Sequence, residues 1–550
     1  MKEEFPWLKS YPSFVPKQID ENKFSSIVDI FNRAVKQFGD LPAFENMGKV
    51  ISFNQLDKDS DAFAWWLQNK TSLKAGDRVA IQLPNLLQFP IAVFGILKAG
   101  MIVVNTNPLF TSEEMKHQFN DLDVRAILIL ENFASHLEKI KDQTKIEYII
   151  LTSIGDMLGG IKGTITNFVV RNIKKMVPSY SLPTAITFKS TLAKRMSPSG
   201  VNLTLKDTAF LQYTGGTTGI PKGVTLSHGN ICANMAQIDG WVGSLFTLGK
   251  EVFITALPMY HIFSLTANCL LSINIGAKNK LITNPRDMPA FIKELKKEPF
   301  SFITGVNTLF NGLLNQPAFK TVDFSGLKLA LAGGMALQDV VAKRWEETTH
   351  KPVLEAYGLS ETSPGASVNP VDGSHRMGTI GLPLPSTIFK IFDDNGNEVP
   401  LGQSGEIGIK GPQVMKEYWN QPLETAKAFK GDFFLTGDIG IMDEDGFTRI
   451  IDRKKEMVIV SGFNVFPNEV EKVIAEHPGV LEVGVRGVPD EKTSEALKAF
   501  IVKRNPDVTE ESIREFCEER LTHYKIPKQI VFRTELPKSN IGKILRRLLE

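Results

Sequence analysis

Residues Leu211–Gly223 read Leu-Gln-Tyr-Thr-Gly-Gly-Thr-Thr-Gly-Ile-Pro-Lys-Gly. From Tyr213 onward, eleven residues hold four glycines, three threonines and one lysine. Glycine opens backbone angles closed to other residues and lets the main chain approach a ligand closely. Successive N–H groups of such a loop form a concavity for an anion. Thr214, Thr217 and Thr218 add hydroxyl donors, and Lys222 adds a compact positive charge suited to phosphate. Thr208–Tyr213 reads as a strand before the loop, and Gly223–Ser227 as a strand after it. The stretch is therefore not the strand–loop–helix phosphate loop ending in Gly-Lys-Ser/Thr, because Lys222 follows Pro221 and precedes Gly223. The bland alternative is a glycine-rich hairpin turn, and three threonines with a lysine behind a proline weigh against it.

On the N-terminal side, strand and helix patterns alternate. Ile27, Ile30, Phe31, Ala34, Val35 and Phe38 share one helical face. Asp77–Leu83 reads as a strand followed by a helix through Leu97, and Met101–Val104 as a second strand. Ser112–Asp121 reads as a helix and Ala126–Leu130 as a strand. Such alternation implies parallel sheets covered by helices on both faces. A chain of 550 residues with 42% hydrophobic content implies more than one domain and a sizeable core. The net charge of +2, from 63 basic and 61 acidic residues, gives no reason to expect nucleic acid. Cys232, Cys269 and Cys517 are scattered, which predicts core thiols, no zinc site and a reducing compartment.

The N-terminus is charged and carries early prolines, unlike a signal peptide. The apolar run from Phe89 to Val104 is interrupted by Lys98 and too short to span a bilayer, so it reads as a buried helix and strand. Residues 160–180 differ from the rest. Ile161, Ile165, Phe168, Val169, Ile173, Met176 and Val177 fall on one helical face, Lys162, Arg171, Lys174 and Lys175 lie off it, and no acidic residue intervenes from Ile161 to Tyr180. This is the profile of a basic amphipathic helix for an anionic membrane surface. The competing reading is a surface helix whose apolar side packs on its own domain.

Further stretches follow in order. Leu257-Pro-Met-Tyr-His-Ile-Phe263 sets His261 among aromatic and apolar residues, and the apolar Ser301–Leu314 has small residues interleaved. Leu329–Leu337 is a short strand running into Gly333-Gly334. Val353–Thr362 ends Tyr-Gly-Leu-Ser-Glu-Thr, where Tyr357 can stack on a purine and Glu361 is a hard oxygen ligand suited to Mg²⁺ beside phosphates. Asp438 can accept from a ribose diol, and Arg453 can donate to ribose or phosphate. A buried Asp–Arg pair is the structural alternative. The chain ends with the basic run Lys538-Ser-Asn-Ile-Gly-Lys-Ile-Leu-Arg-Arg547.

Together these motifs resemble the adenylate-forming superfamily of acyl-CoA synthetases, firefly-type luciferases and peptide-synthetase adenylation domains. The resemblance runs from about Ser25 to the C-terminus. The block from Gly431 to Lys455 is most similar to that of fatty-acyl-CoA synthetases, although Phe433-Phe434 stands where that subgroup usually has tryptophan. The resemblance implies an α/β fold, with a large N-terminal domain of mixed, mostly parallel sheets flanked by helices and a small β-barrel-like subregion. A smaller, mobile C-terminal α+β domain follows, giving domains 1–454 and 455–550 with a hinge at Lys455. It implies ATP, Mg²⁺ and coenzyme A as cofactor and co-substrates, with a long-chain fatty acid activated through an acyl-adenylate.

The implied nucleotide site comprises Thr214, Gly215, Gly216, Thr217, Thr218, Gly219, Lys222, Gly333, Gly334, Tyr357, Gly358, Thr362, Asp438, Arg453 and Lys543. Thr214 and Glu361 are the implied metal partners, and Lys543 is the mobile lysine of adenylation. Lys222, Thr214, Glu361 and His261 stand with Lys543 in the reacting group, His261 orienting the carboxylate rather than acting as acid or base. Ser461, Gly462 and Phe463 would line the coenzyme A channel. A medium-chain or aryl CoA ligase and a fatty acyl-AMP ligase share these motifs, and a silent membrane-associated lipid-binding protein is the reading from another class. The expected location is cytoplasmic, with peripheral attachment to the cytoplasmic face of the inner membrane, and oligomeric state, including a homodimer, is open.

Overall fold

The computed structural model describes residues 5–214, 221–461, 463–490, 492–539 and 541–550. Two large sheets dominate. One has nine strands; its central members Val252–Thr255, Phe302–Gly305, Leu329–Ala332 and Val353–Gly358 run parallel, with antiparallel strands at both edges. The other has eight strands. Six are parallel, and Gly223–Ser227 and Glu417–Tyr418 close one edge in antiparallel pairing. The expected strand–loop–strand around the glycine-rich stretch is present as Thr208–Tyr213 and Gly223–Ser227.

The local rules hold where the periodicity is strong. Ile27–Phe38 is a helix capped by Ser26, which accepts from Asp29 N–H at 3.1 Å, and it buries Ile27, Ile30, Phe31, Ala34 and Phe38. The apolar run is the fully buried helix Gln88–Lys98 followed by the buried strand Ile102–Asn105. Lys98 is tolerated inside because its ammonium donates to Asp57 and Asp61, each at 2.6 Å. The three cysteines are buried and free.

A five-stranded antiparallel sheet with Ile388–Phe392, Ser404–Lys410 and Phe433–Met442 forms the small β subregion. Beyond it, residues 458–550 build an α+β unit. Its five-stranded sheet carries the helices Pro467–Ala475 and Glu510–Glu518 over a separate core that includes Val470, Val485 and Ile513. Thr509 caps the second of these helices, its hydroxyl accepting Ser512 N–H at 3.1 Å.

The amphipathic stretch behaves differently from a packed surface helix. Gly160–Phe168 is α-helical and Val169–Ile173 continues as a π-helical turn. Its apolar side faces solvent, with Ile161 79% and Phe168 57% exposed and Ile165, Ile173 and Met176 also exposed. Among the described residues no helix is long and apolar enough to cross a membrane.

Candidate active site

Ligands in open α/β sheets bind beyond the carboxyl ends of the strands. Here both large sheets aim those ends at one cavity of about 470 Å³. Tyr213 and Thr214 arrive from the eight-stranded sheet; Gly333, Gly334, Tyr357 and Gly358 arrive from the nine-stranded one. The cavity has two chemically distinct parts. Lys222, Glu361, Arg453 and Lys543 give it a charged end, while Trp241, Val242, Phe302, Leu329 and Leu331 line an apolar arm. Leu329, Leu331 and Gly333, alternate residues along one strand and just past its end, line it over about 13 Å of chain at the usual rise per strand residue. The helix His228–Val242 supplies the opposite wall, with Trp241 fixed by Nε1–H donation to the Asn369 carbonyl at 3.2 Å.

At the charged end each group is held by a neighbour. Thr214 N–H donates to the Lys222 carbonyl at 3.0 Å, and Lys222 N–H donates to Thr214 Oγ1 at 3.3 Å, closing the mouth of the glycine-rich loop. Lys222 Nζ pairs with Glu424 at 2.5 Å and lies 4.8 Å from the ring centre of Tyr418. Tyr418 Oη donates to Glu361 Oε1 at 2.8 Å, and burial pushes the Glu361 carboxyl above its usual range. Tyr357 Oη donates to Asp438 at 2.5 Å, and Arg453 Nε donates to its other oxygen at 2.9 Å. Burial raises the Asp438 carboxyl and Arg453 opposes the rise. His261 Nδ1 accepts Phe263 N–H at 3.3 Å, and burial holds the imidazole down at about 4. The ring is therefore neutral at pH 7 and carries its proton on Nε2, so it is a donor and not a base.

The C-terminal unit completes the wall. Ser539, Ile541, Lys543 and Leu545 line the same cavity. Ser539 N–H donates to the Lys543 carbonyl at 2.7 Å and Lys543 N–H to Ser539 Oγ at 3.1 Å, which holds Lys543 against Ser539. Thr308 Oγ1 donates to the Gly542 carbonyl at 2.8 Å, and Asn311 Nδ2 to the Leu481 carbonyl at 3.1 Å, tying this unit to the large one. Burial first, then Arg453, lowers the Lys543 ammonium below the usual lysine range.

Most of the expected site is thus assembled: Thr214, Lys222, His261, Gly333, Gly334, Tyr357, Gly358, Glu361, Arg453 and Lys543 all line the cavity. Asp438 stands one hydrogen bond behind the wall, with an oxygen on each of Tyr357 and Arg453. Thr362 departs from expectation. It is fully buried, its hydroxyl accepts Leu359 N–H at 2.9 Å and donates to the Pro364 carbonyl, and Ser360 lines the cavity instead. Ser461 and Phe463 are exposed and away from the cavity, Phe463 stacking on Tyr524 at 4.7 Å. Lys455 lies in the turn Lys454–Glu456 between the two units. Gly215, Gly216, Thr217, Thr218, Gly219 and Gly462 lie outside the described residues. Sequence reading missed Tyr418 and Glu424, which no periodicity marks, and Thr308.

A magnesium ion suits this donor set. Among the described residues no cluster of three or more His, Cys, Asp or Glu side chains could cage a metal. One buried carboxylate, Glu361, and one hydroxyl, Thr214, share the cavity instead. Mg²⁺ is commonly held by one or two carboxylates together with substrate phosphates and water.

Two domains that close a charged pocket onto an apolar arm define an enzyme that activates an acid with a nucleotide. The chain belongs to the AMP-binding enzyme family: residues 31–419 match the AMP-binding enzyme domain and residues 469–543 its C-terminal domain. It is 54% identical over 545 residues to a long-chain-fatty-acid–CoA ligase of Escherichia coli O6:H1, covering 99% of this chain and 97% of that one. It is 37% identical to the ligase of that name from Bacillus subtilis, covering 100% and 98%. Among solved structures, ATP-bound MatB from Rhodopseudomonas palustris is similar, with a TM-score of 0.79, 26% identity, and coverage of 95% of this chain and 98% of that one.

Proposed function

We propose that this chain is an ATP-dependent long-chain-fatty-acid–CoA ligase that acts in two steps. The fatty carboxylate attacks the α-phosphate of ATP, giving acyl-adenylate and pyrophosphate. The thiol of coenzyme A then attacks the acyl carbon and AMP leaves. The observation that carries the reading is one cavity lined by both charged groups and an apolar arm. The arm takes the acyl chain and the charged end takes the phosphates.

Catalysis rests on placement rather than on a protein nucleophile. Lys222 and the glycine-rich loop hold the β- and γ-phosphates, and binding exchanges Glu424 for phosphate on the lysine. Glu361 and Thr214 would hold Mg²⁺, which when bound would supply charge neutralisation at the phosphates. Tyr418 orients Glu361 for that duty. Tyr357, Gly333 and Gly334 receive the adenine, and Asp438 keeps Tyr357 and Arg453 aimed at the ribose side. His261 donates a hydrogen bond from its Nε2–H to the substrate carboxylate and so orients it. Lys543 stands where charge develops on the α-phosphate and carboxylate oxygens. Ser461 and Phe463 lie outside the cavity in this arrangement. Thioester formation therefore requires residues 455–550 to turn about Lys455 and bring them in.

The exposed apolar side of Gly160–Phe168, flanked by Lys162, Lys174 and Lys175, supports reversible binding to an anionic membrane from which fatty acids partition. Sedimentation with phosphatidylglycerol vesicles at low salt, lost on Ile161→Ser with Phe168→Ser, is the expected result; no sedimentation at low salt removes this part. The enzymatic reading is tested by pyrophosphate release with Mg-ATP across acids from acetate to oleate, with and without coenzyme A. Turnover should peak with long chains and depend on coenzyme A. Release without that dependence would indicate an acyl-AMP ligase.

A further inference from the structure

Arg546 lies three residues beyond Lys543 in what reads from sequence as a solvated basic tail. In the structure its side chain is only 12% exposed, and it meets four acceptors. Nε donates to Glu471 Oε1 at 2.8 Å and Nη2 to Glu471 Oε2 at 2.7 Å, a two-pronged pairing. Nη1 donates to Asp452 at 3.1 Å and to Glu456. Nη2 also donates to Asn468.

These partners come from three different places. Asp452 is on the strand Thr448–Arg453 of the large unit and is wholly buried. Glu456 is in the turn between the units. Asn468 and Glu471 lie on the helix Pro467–Ala475 of the C-terminal unit. Asp452 also accepts Asn468 N–H at 2.8 Å and Arg453 N–H at 2.8 Å, so the strand end, the turn and the helix converge on this guanidinium. Glu471 accepts Val485 N–H at 2.7 Å, which fixes the fork from behind.

We infer that Arg546 is the positioning residue that locks the C-terminal unit in the adenylation arrangement and so delivers Lys543 to the cavity; this rests on the two-step reading above. The physical argument is charge. Three carboxylates gather here, and the guanidinium holds them together across the boundary between the units. Without it, like charges face one another over that boundary and drive the units apart. A lysine cannot replace it, because one ammonium lacks the planar fork that serves Glu471 and reaches Asp452, Glu456 and Asn468 together. Rotation for the second step must break the contact with Asp452, since Asp452 stays on the large unit while Glu471 and Asn468 leave with the helix.

The test uses full-length Arg546→Gln and Arg546→Lys, with Lys543→Ala as the comparison. Three quantities are measured: pyrophosphate release without coenzyme A, thioester formation from supplied acyl-AMP and coenzyme A, and the rate of trypsin cleavage at Lys454 and Lys455. Arg546→Gln should lower the first by about 100- to 4,000-fold, the scale of removing one partner from a buried ion pair. It should leave the second within about twofold and speed cleavage between the units. Arg546→Lys should fall between Arg546→Gln and the native protein. Lys543→Ala should lose the first quantity while its cleavage rate stays native, which separates chemistry from docking. Equal loss of both half-reactions, or native cleavage in Arg546→Gln, overturns the inference. Should Arg546→Gln fail to fold, Arg546→Lys and Asp452→Asn decide by the same ratio. No pyrophosphate release from the native protein would instead refute the two-step reading itself.

Discussion

Gly542→Ala gives a sharp test of how Lys543 reaches the cavity. Gly542 has φ +89°, and a Cβ there would stand 2.6 Å from Thr308 Oγ1 and 3.3 Å from Val306. Positive φ costs an alanine about 1–2 kcal/mol. Thr308 can escape the overlap only by rotating its hydroxyl, which loses its 2.8 Å hydrogen bond to the Gly542 carbonyl, or about 1 kcal/mol more. The sum, about 2–3 kcal/mol, weakens the docked arrangement roughly 30- to 140-fold at 1.4 kcal/mol per decade. Single-turnover pyrophosphate release without coenzyme A should fall by that factor, while thioester formation from supplied acyl-AMP should change little. Thr308→Ala alone should cost about 1 kcal/mol, and the double variant no more than Gly542→Ala, because both lose the same hydrogen bond. Strictly additive losses, or equal loss of both half-reactions, would refute the reasoning.

Other consequences are independent of the hinge. His228 accepts Ile27 N–H at 3.2 Å, and burial holds it at about 4 against 6.5 for an ordinary histidine. Its folded pKa is depressed, so its contribution to stability is present above about pH 6.5 and is lost as pH falls toward 4; between pH 7 and 5 the loss is about 2 kcal/mol. Chemical denaturation of His228→Gln should show a pH 7-to-5 loss smaller than native by that amount, and identical slopes would contradict this. Glu424→Gln frees Lys222 of a competing carboxylate, so the KM for ATP should fall roughly two- to fivefold, the range of an exposed pair; an unchanged or raised KM would count against the exchange of Glu424 for phosphate. Ile238, on the helix His228–Val242, also lines the cavity; Ile238→Trp should narrow the apolar arm and shorten the preferred acid while the KM for ATP stays put. An unchanged chain-length profile would remove Ile238 from the acyl path.

Much of this architecture is legible in the sequence because it rests on short-range rules. The alternation of strand and helix patterns predicted parallel sheets covered by helices, and the strands flanking the glycine–threonine loop predicted where Thr214 and Lys222 stand. What escaped depends on long-range pairing. Tyr418 sits on the two-residue strand Glu417–Tyr418, too short for any periodicity, and reaches the cavity by pairing with Gly223–Ser227 almost two hundred residues earlier. Thr362 follows Glu361 directly, yet the turn after it consumes its hydroxyl. The amphipathic period at Ile161 and Ile165 gave the helix, but periodicity cannot tell whether an apolar side finds a partner, and here it faces solvent. The Arg546 cluster was invisible because its three acids lie 75 to 94 residues away in the chain.

The most direct measurement is to trap the intermediate. The protein is mixed with α-labelled Mg-ATP and palmitate without coenzyme A, separated from free nucleotide, and then given coenzyme A. The account predicts protein-bound palmitoyl-adenylate, converted on the chase to palmitoyl-CoA and free AMP in equal amounts. A bound adenylate that coenzyme A leaves untouched, or labelled nucleotide released without any acyl-adenylate, would contradict it.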